Sequence, residues 1–190
     1  MDRRVKKTQA AIRNAFTDLI KEKGDVNSIT IKEIVDRADI SRSTFYTHYT
    51  DINELIDDLS NMLADDIAKI VVETHKKATG ISSYMMIYRS ILSYLYEKGP
   101  VSKAILVDAR NTRIIEEISK SLRDGIAAYY KTTHRQMDPE LLFATATFWT
   151  NGILGIMREW AQYDFKYSVD EMTTIITKAI ETCSTFFREG

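Results

Sequence analysis

The stretch from Thr30 to Tyr49, TIKEIVDRADISRSTFYTHY, restricts the fold more than any other part of the chain, because it holds two helix starts in close succession. Thr30 is a favoured N-cap residue, and Glu33 stands three positions on, the spacing of a capping box. Ile31, Ile34, Val35 and Ala38 then recur at helical spacing, and the pattern stops at Asp39-Ile40. Ser41 is a second N-cap, so the spacing predicts two short helices joined by a tight turn. In the second helix Phe45 and Tyr49 are four residues apart and face inward, which leaves Arg42, Ser43, Thr44, Tyr46, Thr47 and His48 pointing outward. An outer face of hydroxyls, one Arg and one His suits a DNA major groove. Arginine forks onto guanine, hydroxyls bond phosphates and base edges, and small side chains permit close approach.

The rest of the chain reads as more helix. It has only 2 Pro and 7 Gly in 190 residues and is 44% hydrophobic, enough to bury a core, so the fold class is all-α with about nine helices. Residues 1–7 read as a mobile basic arm, with Arg3, Arg4, Lys6 and Lys7 placed to reach backbone phosphate or a neighbouring minor groove. A merely solvated terminus is the alternative. Thr8 to Lys23 forms the first helix, with Ile12, Ala15, Phe16, Leu19 and Ile20 inside and Gly24 ending it. A long helix from Asp51 to about Lys77 leads away from the helix-turn-helix. Helices over 81–98, 102–109 and 112–131 follow, the first of them closed by the breaker Gly99-Pro100. Asp138-Pro139 opens a helix to about Tyr163 that is apolar nearly all round and must be covered on both sides. Val169 to Phe187 is the last.

Charge divides unevenly along the chain. Residues 1–49 carry 10 Lys+Arg against 7 Asp+Glu, a net +3, and the remainder carries 16 against 20, a net −4. A basic reading head on an acidic body fits a nucleic-acid binder. The single cysteine, Cys183, has no intramolecular disulfide partner, no apolar run approaches membrane-spanning length, and the basic N-terminus is not followed by a hydrophobic signal segment. A cytoplasmic protein with no membrane association is expected.

Local chemistry is sparse. His48, His75 and His134 lie in separate segments, no HxxxH, CxxC or HExxH spacing occurs, and there is neither a Gly-rich phosphate loop nor GxSxG. Neither a metal, a cofactor nor an enzyme activity is expected, and a small helical enzyme is disfavoured because no acid, base and nucleophile converge. Aromatic and Met residues in the middle of the chain, among them Tyr88, Tyr129, Phe148 and Trp149, read as the lining of a cavity for a small, partly apolar effector. Packed core is the commoner meaning of such stripes. Arg110, Arg113 and Arg158 are anion anchors or simple salt-bridge partners.

Ile12, Ala15, Phe16, Leu19, Thr30, Ile34, Ala38, Ile40-Ser41, Thr44-Phe45-Tyr46, His48-Tyr49 and Leu55, in this order and spacing, resemble the DNA-binding domain of TetR-family regulators. The resemblance covers about the first 55 residues, and the segment Phe148 to Trp160 further resembles a C-terminal type seen in regulators of Gram-positive bacteria. It implies a helix-turn-helix DNA-binding domain over residues 1–50 and a helical ligand-binding and dimerisation domain over 51–190. It also implies a homodimer, most often a repressor, that places two reading helices in successive major grooves of a pseudo-palindromic double-stranded operator and is released by a small-molecule effector. Base contact then falls to Arg42, Ser43 and Thr44, and phosphate positioning to Thr30, Tyr46, Thr47 and His48, with Ser41 also among the DNA-binding residues and Lys6 and Lys7 adding salt-dependent affinity. The dimer interface resembles a four-helix arrangement of the last two helices, with Phe148, Gly152, Ile156, Trp160, Ile176, Ile180, Cys183 and Phe187 at it; a thicker monomer core is the alternative. The chain departs from the family pattern in having Asp39 and Ser43 where many relatives have Gly. It also has Ile52 where many have a phosphate-binding Lys, which leaves room for a helical adaptor acting through a protein partner.

Overall fold

The computed structural model describes residues 3–77, 81–107, 112–133 and 138–186, without the side chains of 75, 77, 81–84, 112–114, 126, 129–133 and 180–186. Among the described residues it is all helical: α1 (Arg3–Lys23), α2 (Ile31–Ala38), α3 (Arg42–His48), α4 (Ile52–Lys77), α5 (Ile81–Lys98), α6 (Pro100–Val107), α7 (Thr112–Thr133), α8 (Pro139–Gln162) and α9 (Val169–Phe186), with one 3-10 turn at Val26–Ser28. No described helix is long and apolar enough to cross a membrane.

Local rules set most boundaries. Gly24 takes a left-handed φ of 70° and returns its N–H to the Ile20 carbonyl, ending α1. Thr30 caps α2 and closes a full capping box with Glu33. Asp39 is left-handed at φ 52°, a conformation glycine adopts at lower cost, and the next residue closes the turn by donating from Ile40 N to the Val35 carbonyl. Asp51 accepts from Glu54 N at the start of α4, and Asp138 accepts from Glu140 N and Leu141 N around Pro139 at the start of α8.

The N-terminal expectation of a free arm is not what the structure holds. Helix α1 begins at Arg3, so Lys6 and Lys7 stand on its first turns. No Gly or Pro interrupts RRVKK, and Thr8, instead of capping, turns its hydroxyl back to the Arg4 carbonyl at 3.1 Å as a mid-helix threonine does.

Helices α1 to α3 pack around Ile12, Phe16, Ile34 and Phe45, all fully buried. The same apolar core runs on through Leu55 and Ile67 of α4 and Ile105 of α6, so α4 joins the first three helices to the body. Helix α4 packs on α5 and α7, α7 on α8, and α6 lies between α1 and α8. Helix α8 is covered on one side only. Ala146, Trp149, Ile153, Leu154, Met157 and Trp160 are buried, while Leu141, Phe143 and Phe148 stay exposed, the last two 71% and 61%.

Candidate nucleic-acid interface

Helix α3 is held by two inward rings and presents everything else. Phe45 is fully buried, Tyr49 nearly so, and their centroids lie 5.8 Å apart. Arg42, Ser43, Tyr46 and Thr47 are exposed, with Thr44 and His48 half-buried beside them. The structure therefore brings the expected reading residues onto one surface.

The hydroxyls on that surface are not equally free. Ser41 Oγ accepts from Thr44 N at 3.0 Å and also pairs with the Ser43 and Thr44 hydroxyls, each at 2.8 Å. One small network thus caps the helix and orients Ser43 and Thr44. Thr47 donates its hydroxyl to the Ser43 carbonyl, so it meets an incoming nucleic acid as an acceptor. That polarity suits a base amino group better than a phosphate. Thr30 is committed too: its N–H and its hydroxyl both go to Glu33 Oε2, at 3.0 and 2.9 Å. Phosphate positioning by Thr30 requires that cap to open. The phenol of Tyr46 and the imidazole of His48 have no hydrogen bond among the described residues, and Lys6 and Lys7 are exposed on α1.

Electrostatics around the cap are local. Lys23 Nζ reaches Glu33 Oε1 at 2.6 Å, and this contact, with the two from Thr30, holds the Glu33 carboxyl down at about 2. Ile52, at the first position of α4, is half-buried and packs against the core, so it serves the fold where a Lys would face phosphate.

One arrangement beneath α3 escaped sequence reading. Asp58 of α4 accepts from Arg13 of α1 and from the phenol of Tyr49. Burial, and then the Asp58 carboxylate, push the Tyr49 hydroxyl well above the usual phenol range, so it stays a donor. The available signal was Tyr49 itself: a phenol on an inward face needs a partner.

The expected effector residues separate. A cavity of about 20 Å³ lies between α5, α7, α8 and α9, walled by Met85, Tyr88, Leu122, Met157 and Ile176 among others. Of the aromatic residues expected there, Tyr88 lines it, with its hydroxyl 3.3 Å from the Leu122 carbonyl. Phe148 sits outside on α8, Trp149 is buried in the core, and the Tyr129 side chain lies outside the described residues.

The expected interface residues separate as well. Phe148 and Gly152 are exposed and Ile156 is half-buried on α8. Trp160 and Ile176 are instead buried within their own chain. Trp160 stacks on Tyr96 and meets Phe165 edge-on, because the turn after α8 folds back over it; Ile176 lines the cavity. Ile180 and Cys183 fall among the undescribed side chains, and Phe187 lies outside the described residues.

Residues 82–182, more than half of the chain, match the family model of a TetR-type transcriptional regulator C-terminal region. The chain belongs to the TetR family of transcriptional regulators. An uncharacterized HTH-type transcriptional regulator of Bacillus subtilis strain 168, YxbF, is 41% identical over 71 residues, which are 37% of this TetR-family chain and 18% of that relative's length. In fold, the chain is similar to a TetR-family regulator from Syntrophomonas wolfei, with a TM-score of 0.73 and 14% identity over 95% of this chain and 96% of the other. It is similar also to the Thermus thermophilus TetR-family repressor FadR in complex with lauroyl-CoA, with a TM-score of 0.59 and 16% identity over 90% and 91% of the two chains. Helices α2 and α3 have the two-helix layout of a helix-turn-helix.

Proposed function

We propose that this TetR-family chain is a homodimeric repressor that binds a pseudo-palindromic operator and is released by a small-molecule effector. The observation that carries the reading is the outer face of α3, where Arg42, Ser43, Tyr46, Thr47 and His48 stand clear of a helix anchored by Phe45 and Tyr49. Arg42, Ser43 and Thr44 then read bases. Tyr46, His48 and Ser41 position the helix on phosphate, and Lys6 and Lys7 add affinity from the adjoining turns of α1. Thr47 joins the base readers as an acceptor, and Thr30 contributes through the cap of α2.

The uncovered side of α8 supports pairing with a second copy, because Leu141 and Phe148 lie two helical turns apart on it with small residues Ala144 and Gly152 alongside. Residues 1–50 would then be the reading domain and 51–190 the effector and dimer domain. The effector site is the cavity beside Tyr88. Its present size holds about one water molecule, so an effector enters by displacing the adaptable thioethers of Met85 and Met157. Catalysis has no place in this reading.

Selection of genomic fragments by the purified protein at two salt concentrations tests it. An inverted repeat, recovered more weakly at high salt, is the expected result. Recovery of no preferred sequence would transfer the reading to an adaptor that works through a protein partner, consistent with Ile52 in place of a phosphate-binding Lys. A reporter placed behind the recovered site gives the sign of regulation.

A further inference from the structure

Two buried side chains, Phe45 and Tyr49, tie α3 to what lies beneath it, and they differ in kind. Phe45 is wholly apolar, and apolar burial holds a helix down without fixing its roll or tilt. Tyr49, which closes α3 by returning its N–H to the Phe45 carbonyl, ends in a hydroxyl that donates to Asp58 Oδ2 at 2.6 Å. The same oxygen accepts from Arg13 Nη1 at 2.9 Å. Hydrogen bonds weaken steeply off their axis, so this pair of donors defines a direction that packing does not. Three elements therefore meet at one carboxylate oxygen: α1 through Arg13, the end of the reading helix through Tyr49, and the second turn of α4 through Asp58 itself.

We propose that Asp58 is a positioning residue for DNA reading, setting the tilt of α3 from α4 through the phenol of Tyr49, with Arg13 as its brace. The inference rests on the reading of α3 as the base-contacting helix. Helix α4 also packs on α5 and α7, so a displacement of α4 carries the Asp58 carboxylate with it and moves the far end of α3 relative to α1. The side chains of Arg13 and Asp58 are 20% and 32% exposed, which shields the pair from the solvent screening that empties a surface ion pair of effect. Asp58 touches no base and no phosphate in this scheme; it acts through Tyr49.

The test compares affinity for the recovered operator duplex with affinity for a scrambled duplex of equal length, by fluorescence anisotropy, for Tyr49→Phe, Asp58→Asn and the double variant. Tyr49→Phe keeps the ring and leaves Asp58 paired with Arg13, so the fold survives. The expected result is a loss of roughly tenfold in operator affinity, the scale of one charge-assisted hydrogen bond, with scrambled-duplex affinity unchanged. The double variant should lose less than the product of the two single losses, because both remove one link. A purely structural role would lower the melting temperature and leave the ratio of the two affinities where it was; that outcome overturns the proposal. Arg42→Ala serves as the separate control. Should it leave operator affinity intact, the reading of α3 as the base-contacting helix fails, whatever Tyr49→Phe does.

Discussion

Trp160 donates its indole N–H to the carbonyl oxygen of Tyr167 at 2.9 Å, across a turn in which Asp164 and Phe165 are both left-handed. Two non-glycine residues in that conformation cost on the order of 1–3 kcal/mol each. What holds them is visible: Phe165 is buried edge-on against Trp160, and Asp164 pairs with Lys103 of α6. Replacing Trp160 by Phe keeps a ring but removes the donor and part of the packing. Stability should fall by about 1–3 kcal/mol, read in denaturant melts, with the oligomeric mass unchanged. A dissociated but equally stable variant would return Trp160 to the subunit interface.

Phe148 should behave in the opposite way. Its side chain is largely exposed, so Phe148→Glu ought to shift stability of an isolated chain by no more than about 0.5 kcal/mol. On the proposed interface, however, it places a charge opposite an apolar neighbour. Light scattering after size exclusion should report a monomer. A variant that remains dimeric would move the interface away from this side of α8.

The basic and reading residues separate by salt. Lys6→Ala and Lys7→Ala should weaken binding to every duplex alike and flatten the plot of log affinity against log salt by about 0.9 for each phosphate left without its lysine. Arg42→Ala should cost about 1–3 kcal/mol on the operator and relax the preferred base at one position. Equal losses on operator and scrambled DNA would demote Arg42 to a phosphate contact.

Acid should loosen the start of α2. The Glu33 carboxyl is held at about 2 against an ordinary 4.5, first by the Lys23 hydrogen bond and then by those from Thr30. Its folded value is depressed, so its stabilisation is fully present above 4.5 and is lost as pH falls toward about 2. Protonated Glu33 resembles glutamine. The melting temperatures of the parent and Glu33→Gln should therefore differ at neutral pH and converge below 4.5. A gap that stayed constant through that window would show that the charge of Glu33 contributes nothing there.

Helix starts were readable because caps are local. Thr30 with Glu33, Ser41 with Thr44, Asp51 with Glu54 and Asp138 with Leu141 each use contacts within a few residues, and each forms. The inward pair Phe45 and Tyr49 followed from spacing in the same way. Coverage was less readable. An apolar surface around α8 says that both sides avoid water, but not which side its own chain covers. That is why Trp160 proved internal while Phe148 did not. Asp58 and Arg13 lie 45 residues apart, and no periodicity relates them. Lys6 and Lys7 were placed on an arm because charge density resembles a tail, although nothing in RRVKK opposes a helix.

The small cavity beside Tyr88, read as the effector site, has a kinetic consequence. A cavity with room for little more than one water molecule would admit a larger guest only during openings, and the guest's apparent affinity would be reduced by the fraction of time spent open. Should opening precede capture, release from DNA would have a maximum rate. Raising effector concentration would speed it only until the opening of α5 against α9 became the slow step, and a substitution that held the body ajar would raise both the ceiling and the sensitivity.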